Sequence, residues 1–311
     1  MTAKTFGAVL CAALLVAPVV AFASGANTPI SARGATFNAE SFGGTARVSK
    51  DYEGKGYSSA ISAALSQTLS DDDVSALLDT IPVGTGSIIG TDQRKQVNNT
   101  KKYPYRAVVL IRFKTPEGAS RCTGWMINKN TLATAGHCVY DPGVGWYNYK
   151  KFKMYPGYTG SKAPYGSCKA KDLYTVSGWA DNGWDDYDYG AIKLKCKVGK
   201  KTGWFGYFWT SESLKGRKIT IAGYPGDKPL TQWKSKGKVT VSQPRRVFYK
   251  NDTTGGMSGS PVYYKKPDCG QCSMAVHAYG GYNGPPFNTN NHGTRITEDV
   301  FKNLNKWKKA K

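Results

Sequence analysis

TTGGMSGSPV, Thr253 to Val262, is the stretch from which the rest of the chain can be read. A serine between glycines, followed by Gly-Ser-Pro and an apolar run, suits a nucleophile whose own backbone N–H must face an open site; that serine is Ser258. A serine hydroxyl is a weak nucleophile at neutral pH. It needs a histidine base, a carboxylate that orients the base, and donors for the oxyanion.

Only three histidines exist, His137, His277 and His292, so the search for the base is short. His137 stands in TLATAGHCVY, after an apolar strand and beside Cys138, where it would be held stiffly on the wall of a cleft. The orienting carboxylate has to be buried and near a strand start. WDDYDYGAIKL supplies Asp185, Asp186 and Asp188, and only Asp188 directly precedes the strand-like Tyr-Gly-Ala-Ile. The other two read as solvated turn residues. With Asp188 on one ring nitrogen, His137 keeps the other free as the base toward Ser258.

Around this core the chain divides by composition. Lys4, the apolar run from Phe6 to Val20 and the small residues near Ala23 read as a secretory signal over 1–23. No later run is long enough to span a membrane. Residues 24–86 lack Cys and Trp and are rich in Ala, Ser and Gly, which suggests a removable prosegment. Ser58 to Leu69 has helical apolar spacing, and Ser70 with three aspartates after it can cap a second short helix to Leu78. Such helices could shield a site until they are cleaved off. Residues 87–311 form the candidate catalytic domain.

That domain reads as short strands separated by Gly, Pro, Asn and Asp: 105–113, 123–127, 131–135, 191–194, 218–222, 238–242, 261–264 and 274–278. The expectation is an all-β architecture of antiparallel barrels or sandwiches. Thr297 can cap one closing helix, about 298–309, in which Val300, Phe301, Leu304 and Trp307 share a face. Of 43 lysines and arginines only 5 precede residue 87, against 7 of 21 acidic residues, so the domain carries about +24. Such an excess attracts polyanions and acidic polypeptides, or merely solubilises. Six cysteines remain after the signal, an even number that in an oxidising compartment favours disulfides. The close pair Cys269 and Cys272 fits a small disulfide loop better than half of a zinc or redox site, since no second CxxC accompanies it.

The order His137, Asp188, Ser258 is that of chymotrypsin-like serine proteases. TAGHC, DYGAI and GGMSGSP together resemble that fold. SIIGTDQR from Ser87, YPYRAVV from Tyr103, CSMAVHAYGG from Cys272 and HGTRIT from His292 narrow the resemblance to the bacterial, V8-like glutamyl endopeptidase family. The likeness runs from about Ser87 to Lys308. It implies a double β-barrel, the first at about 103–198 and the second at about 203–297, with the active site between them. It implies an oxyanion hole from the N–H groups of Gly256 and Ser258, a reading that the flexible Gly255-Gly256 pair suits. It also implies Ser87 as the mature N-terminus and the disulfide Cys122–Cys138, leaving Cys168 and Cys196 for each other. Met257 departs from the trypsin pattern: chymotrypsin and trypsin carry here an aspartate that pairs with the new N-terminal amine, and methionine cannot.

Specificity divides two readings. Asp252, six residues before Ser258, sits where a trypsin-like enzyme would bind Arg or Lys. In the family resembled, a histidine in a V-H-x-x-G segment, here His277 with Gly280, and a hydroxyl at Thr253 bind a substrate glutamate. A buried carboxylate needs such donors, and the reading requires Asp252 to point away. His292 and Arg295 read as structural. The expected protein is thus a secreted, monomeric serine endopeptidase acting on polypeptides, without cofactor or specific nucleic-acid partner. A catalytically silent polyanion-binding module on the same fold is the alternative from another class.

Overall fold

A computed structural model describes residues 25–37, 45–56, 67–68 and 87–311. The signal segment and the helix expected from Ser70 to Leu78 lie outside these residues. Most of the helix expected over 58–69 does too, but Gln67–Thr68 form a short strand against Lys162–Ala163. Side-chain periodicity at that point was overridden by backbone pairing across the chain.

Two closed six-stranded antiparallel barrels carry the fold. In the first, Val108–Thr115, Gly118–Met126, Thr131–Thr134, Gly190–Leu194, Cys168–Val176 and Lys153–Pro156 pair in that circular order. In the second the order is Pro261–Lys266, Lys218–Gly223, Trp233–Ser242, Arg246–Tyr249, Asn291–Arg295 and Gly270–Tyr279. Closure leaves no sheet edge within either ring, which suits strands as short as these. The expectation of an all-β double barrel holds.

All eight expected strands are present, several longer than their apolar cores suggested. The strand expected from Tyr105 begins instead at Val108, because Tyr105–Ala107 form a single 3-10 turn. Lys153–Pro156, Cys168–Val176, Gly206–Thr210, Arg246–Tyr249 and Asn291–Arg295 are further strands of four or more residues. These were not evident from alternation. The closing helix is Glu298–Lys309, with the Thr297 hydroxyl accepting the Val300 N–H at 3.3 Å. Its Val300, Phe301, Leu304 and Trp307 are buried, and each such aliphatic or Phe side chain contributes roughly 1.5–3 kcal/mol. Trp307 stacks on Tyr174 of the first barrel while Phe301 meets Tyr207 beside the second, so the helix ties the barrels together.

The described part of the N-terminal segment adds strands to both barrels. Pro29–Ser31 pairs with Tyr174–Val176, and Ala46–Ser49 pairs with Tyr207–Thr210. Asp51 accepts from the Tyr103 hydroxyl at 2.9 Å and the Gln271 N–H at 2.7 Å. Among the described residues, none of the hydrogen bonds from 25–56 reaches His137, Asp188 or Ser258. All three disulfides form as anticipated: Cys122–Cys138, Cys168–Cys196 and Cys269–Cys272.

Candidate active site

The loop before Ser258 is a turn in which the Met257 N–H donates to the Thr254 carbonyl at 3.0 Å. Gly256 has φ +90°, a conformation that favours glycine. The Gly255 carbonyl accepts the Gly226 N–H at 2.6 Å, and the Gly256 carbonyl accepts the Thr123 hydroxyl at 2.8 Å. In a trans peptide the N–H points opposite the carbonyl. The Gly256 N–H is therefore turned away from Gly226, and neither it nor the Ser258 N–H has a partner among the described residues. Two unengaged donors beside a serine hydroxyl can receive an oxyanion. Met257 is fully buried in the apolar core of the second barrel.

His137 follows strand Thr131–Thr134 in a single 3-10 turn, Gly136–Cys138. Its backbone N–H donates to Asp188 Oδ1 at 2.8 Å, and its ring Nδ1 lies 2.6 Å from Asp188 Oδ2. A Cβ on Gly136 would stand 2.9 Å from Asp188 Oδ1, so only glycine lets the carboxylate approach this turn. Asp188 is completely buried just before Gly190–Leu194, the strand that pairs with Thr131–Thr134. Its backbone carbonyl accepts the Thr294 hydroxyl of the second barrel at 3.0 Å. Burial pushes the His137 pKa down, but the Asp188 charge and hydrogen bond outweigh it and raise it. Burial likewise pushes Asp188 up, and His137 reverses the sign, holding it below the ordinary carboxylate range. His137 Nε2 and Ser258 Oγ are both buried and without a hydrogen bond, a looseness common before substrate binds. Asp185 and Asp186, expected as solvated turn residues, are instead half-buried and bonded to Arg246, with Tyr282 also on Asp185.

His277 is fully buried on Gly270–Tyr279, and its backbone bonds to the two residues after Ser258: its carbonyl accepts the Gly259 N–H at 2.7 Å and its N–H donates to the Ser260 carbonyl at 2.9 Å. Its Nδ1 lies 2.7 Å from the Tyr249 hydroxyl. Burial depresses the His277 pKa to about 3, so the ring is neutral. A tyrosine hydroxyl can donate to Nδ1, which puts the single ring proton of that tautomer on Nε2, a buried atom without a partner. The Thr253 hydroxyl is also buried and unpartnered. Gly280 is buried directly past the end of the His277 strand. Asp252 turns elsewhere: Oδ1 accepts the Ile89 N–H at 2.8 Å and Oδ2 the Gln93 N–H at 2.7 Å.

A family model described as Trypsin matches residues 93–267. The glutamyl endopeptidase of Bacillus licheniformis is 45% identical over 234 residues, covering 74% of this chain and 71% of that one. The chain belongs to the glutamyl endopeptidase family. It is a serine endopeptidase of the chymotrypsin fold, and its substrates are polypeptides. A solved structure of a Glu endopeptidase in complex with MPD is similar with a TM-score of 0.63 at 33% identity, covering 70% of this chain and 98% of that one.

A Bacillus subtilis protein named an extracellular metalloprotease is 39% identical over 265 residues, 84% of this chain and 80% of that one. The metal-ligand cluster found among the described residues, Cys122, His137 and Cys138, does not fit a metal. Its two sulfurs are joined to each other, and His137 Nδ1 is engaged by Asp188. No described helix is long and apolar enough to cross a membrane.

His292 and Arg295 fit their structural reading. His292 is buried among Phe248, Tyr279, Tyr282 and Phe287, and Arg295 donates to the carbonyls of Thr210, Glu212 and Gln243. Sequence reasoning missed Tyr249. Nothing marks it among 20 tyrosines; only an inward-facing position at a strand end opposite His277 does.

Proposed function

We propose that this endopeptidase cleaves after glutamate, less well after aspartate, with Ser258 as nucleophile, His137 as base and Asp188 as its orienting carboxylate. His137 Nε2 takes the Ser258 proton as Oγ attacks the scissile carbonyl, and the oxyanion enters the N–H pair of Gly256 and Ser258. The protonated imidazole, stabilised by Asp188, then gives its proton to the leaving amine. Water repeats the sequence on the acyl-enzyme. Losing one oxyanion donor costs on the order of 2.7–4 kcal/mol of transition-state stabilisation.

The observation that carries the glutamate reading is the pair of buried, unpartnered groups beside the nucleophile, His277 Nε2 and Thr253 Oγ1. Such atoms are costly unless a ligand completes them, and a carboxylate accepts from both. Asp252 has both oxygens taken by the backbone N–H groups of Ile89 and Gln93, so its carboxylate is directed at segment 87–94 and not offered to a lysine or arginine side chain of the substrate. Aspartate is one methylene too short to reach both donors. Cleavage-site profiling on a peptide library tests the reading. Cuts clustered after Glu support it, and cuts mainly after Arg or Lys overturn it.

The same proposal has the protein secreted, with 1–23 removed as a signal and 24–86 as a prosegment, leaving Ser87 at the new terminus. Ser87 is already anchored: its N–H donates to Asn291 Oδ1 at 2.9 Å and its carbonyl accepts from Asn291 Nδ2 at 2.6 Å. Intact-mass measurement of the active secreted form tests the boundary. A fully active chain that retains residues 24–86 rejects it.

A further inference from the structure

Met257 leaves the nucleophile loop without an ion pair to a chain terminus, yet the loop holds Gly256 at φ +90°. Residues 87–94 supply other restraints at two nodes. At the first, Asp252 is buried and takes the N–H groups of Ile89 and Gln93. At the second, the guanidinium of Arg94, with no exposed side-chain surface, fans over three partners. Nη1 donates to Thr254 Oγ1 and to Asp227 Oδ1, each at 2.8 Å. Nη2 reaches Asp227 Oδ2 at 2.5 Å and Asp92 Oδ2 at 2.9 Å, and Nε reaches Asp92 Oδ1 at 2.9 Å. The Thr254 hydroxyl itself donates to Asp227 at 2.5 Å.

These contacts lead to the oxyanion donors by a short covalent path. Arg94 holds Asp227 and Thr254 together, and the adjacent residues Gly226 and Gly255 make the 2.6 Å backbone bond that orients the peptide carrying the Gly256 N–H. Arg121 secures the other side of Gly226, donating to its carbonyl at 2.8 Å. A planar fork on two carboxylates and a hydroxyl fixes direction as well as distance, which lysine cannot reproduce.

We propose that Arg94 and Asp252 are positioning residues that clamp segment 87–94 onto the nucleophile loop and hold the Gly256 and Ser258 N–H groups in oxyanion-binding geometry. This rests on the reading of Ser258 and its N–H pair given above. The clamp performs the task for which trypsin-like enzymes use the charged terminus that Met257 cannot engage.

The test compares wild type with Arg94→Met, Arg94→Lys, Asp252→Asn and Thr254→Val, each checked for native thermal unfolding. Two readouts are taken: the rate at which a serine-directed phosphonate phosphonylates the enzyme, its leaving group being displaced by the serine oxygen, and kcat and KM on whichever peptide library profiling finds best. The expected result for folded Arg94→Met is a fall in kcat of about 10- to 100-fold, smaller than the roughly 100- to 1000-fold cost of losing an oxyanion donor outright, with a parallel fall in phosphonylation rate and KM unchanged. Arg94→Lys recovers only part of it. A purely structural role would lower the unfolding temperature and leave kcat per folded molecule intact, and that outcome overturns the clamp. Should Arg94→Met not fold, Asp252→Asn and Thr254→Val each loosen one node, and wild-type phosphonylation rates in both overturn it equally. Failure of wild type to react with the phosphonate would instead strike the nucleophile assignment, and a preferred residue other than Glu only the pocket reading.

Discussion

His137 in the first barrel and His277 in the second are the same residue type in opposite electrostatic settings. His137 meets a buried carboxylate, and its pKa rises. His277 meets a tyrosine hydroxyl and no carboxylate, and its pKa falls to about 3. The first can take and hold a proton during turnover; the second keeps one fixed proton and can only donate it. Charge compensation, more than burial itself, thus separates the proposed base from the proposed recognition group.

The strongest way to break this comparison is to remove the proton-handling side. Ser258→Ala and His137→Ala are expected to abolish turnover in folded protein, and Asp188→Asn to lower kcat by about 10⁴-fold because the imidazole tautomer reverses. Steady-state assays on one good peptide substrate check all three. Near-wild-type rates in Ser258→Ala would remove the nucleophile assignment.

On the recognition side, each buried partner left unpaired costs roughly 1–3 kcal/mol. His277→Ala should therefore cut kcat/KM on a Glu substrate by about 5- to 150-fold while leaving the fold intact. Tyr249→Phe should act in the same direction but less, because it frees the His277 proton to move to Nδ1. Unaltered Glu selectivity in both variants would end the pocket reading. Asp252→Asn offers the contrast: it slows the enzyme through the clamp yet creates or erases no cleavage after Arg or Lys.

The pH profile separates the two histidines without mutation. Protonated His137 cannot accept the Ser258 proton, so kcat/KM should decline on the acid side with an apparent pKa above the ordinary 6.5. In Asp188→Asn the limb should move to lower pH. An acid limb well below 6.5 in the wild type would contradict the Asp188 pairing.

The last effect expected concerns stability and not catalysis. Burial holds His277 and His292 neutral down to about 3, below the unfolded value of 6.5. The unfolded chain binds these protons first, so stability falls as pH drops from 6.5 toward 3, by about 1.4 kcal/mol per pH unit for each group. His137 has the opposite sign: its raised pKa lends stability that is full below 6.5 and lost as pH rises through the folded value. Asp188, with its pKa lowered, lends stability that is present above 3.8 and lost on further acidification. Urea titrations at several pH values should show a shallower acid slope in His292→Phe, if that variant folds, than in the wild type.

Legibility in the sequence followed the range of the forces involved. Strands such as Thr131–Thr134 and Gly190–Leu194 were plain because each is a short, largely apolar run, and every residue of both is buried. Asn291–Arg295, NHGTR, carries almost no apolar signal although all five residues are buried. Its polar side chains bond to Ser87, Asp188 and the carbonyls around Thr210, so its burial depends on partners elsewhere. Cys168–Val176 was obscured in the same way by Lys169, Lys171 and Asp172.

By itself the sequence determined the nucleophile loop, the three members of the proposed triad, the all-β class and the terminal helix. Each rests on glycine spacing, periodicity, capping or the scarcity of a residue type within a few positions. The tertiary structure alone decided where Asp252 points, which hydroxyl meets His277 Nδ1 and which groups Arg94 bridges. Asp252 meets Ile89 and Gln93 across 163 and 159 residues, and Arg94 meets Thr254 across 160. Hydrogen bonds of that span have no periodic imprint on the chain, because their partners become neighbours only when both barrels close.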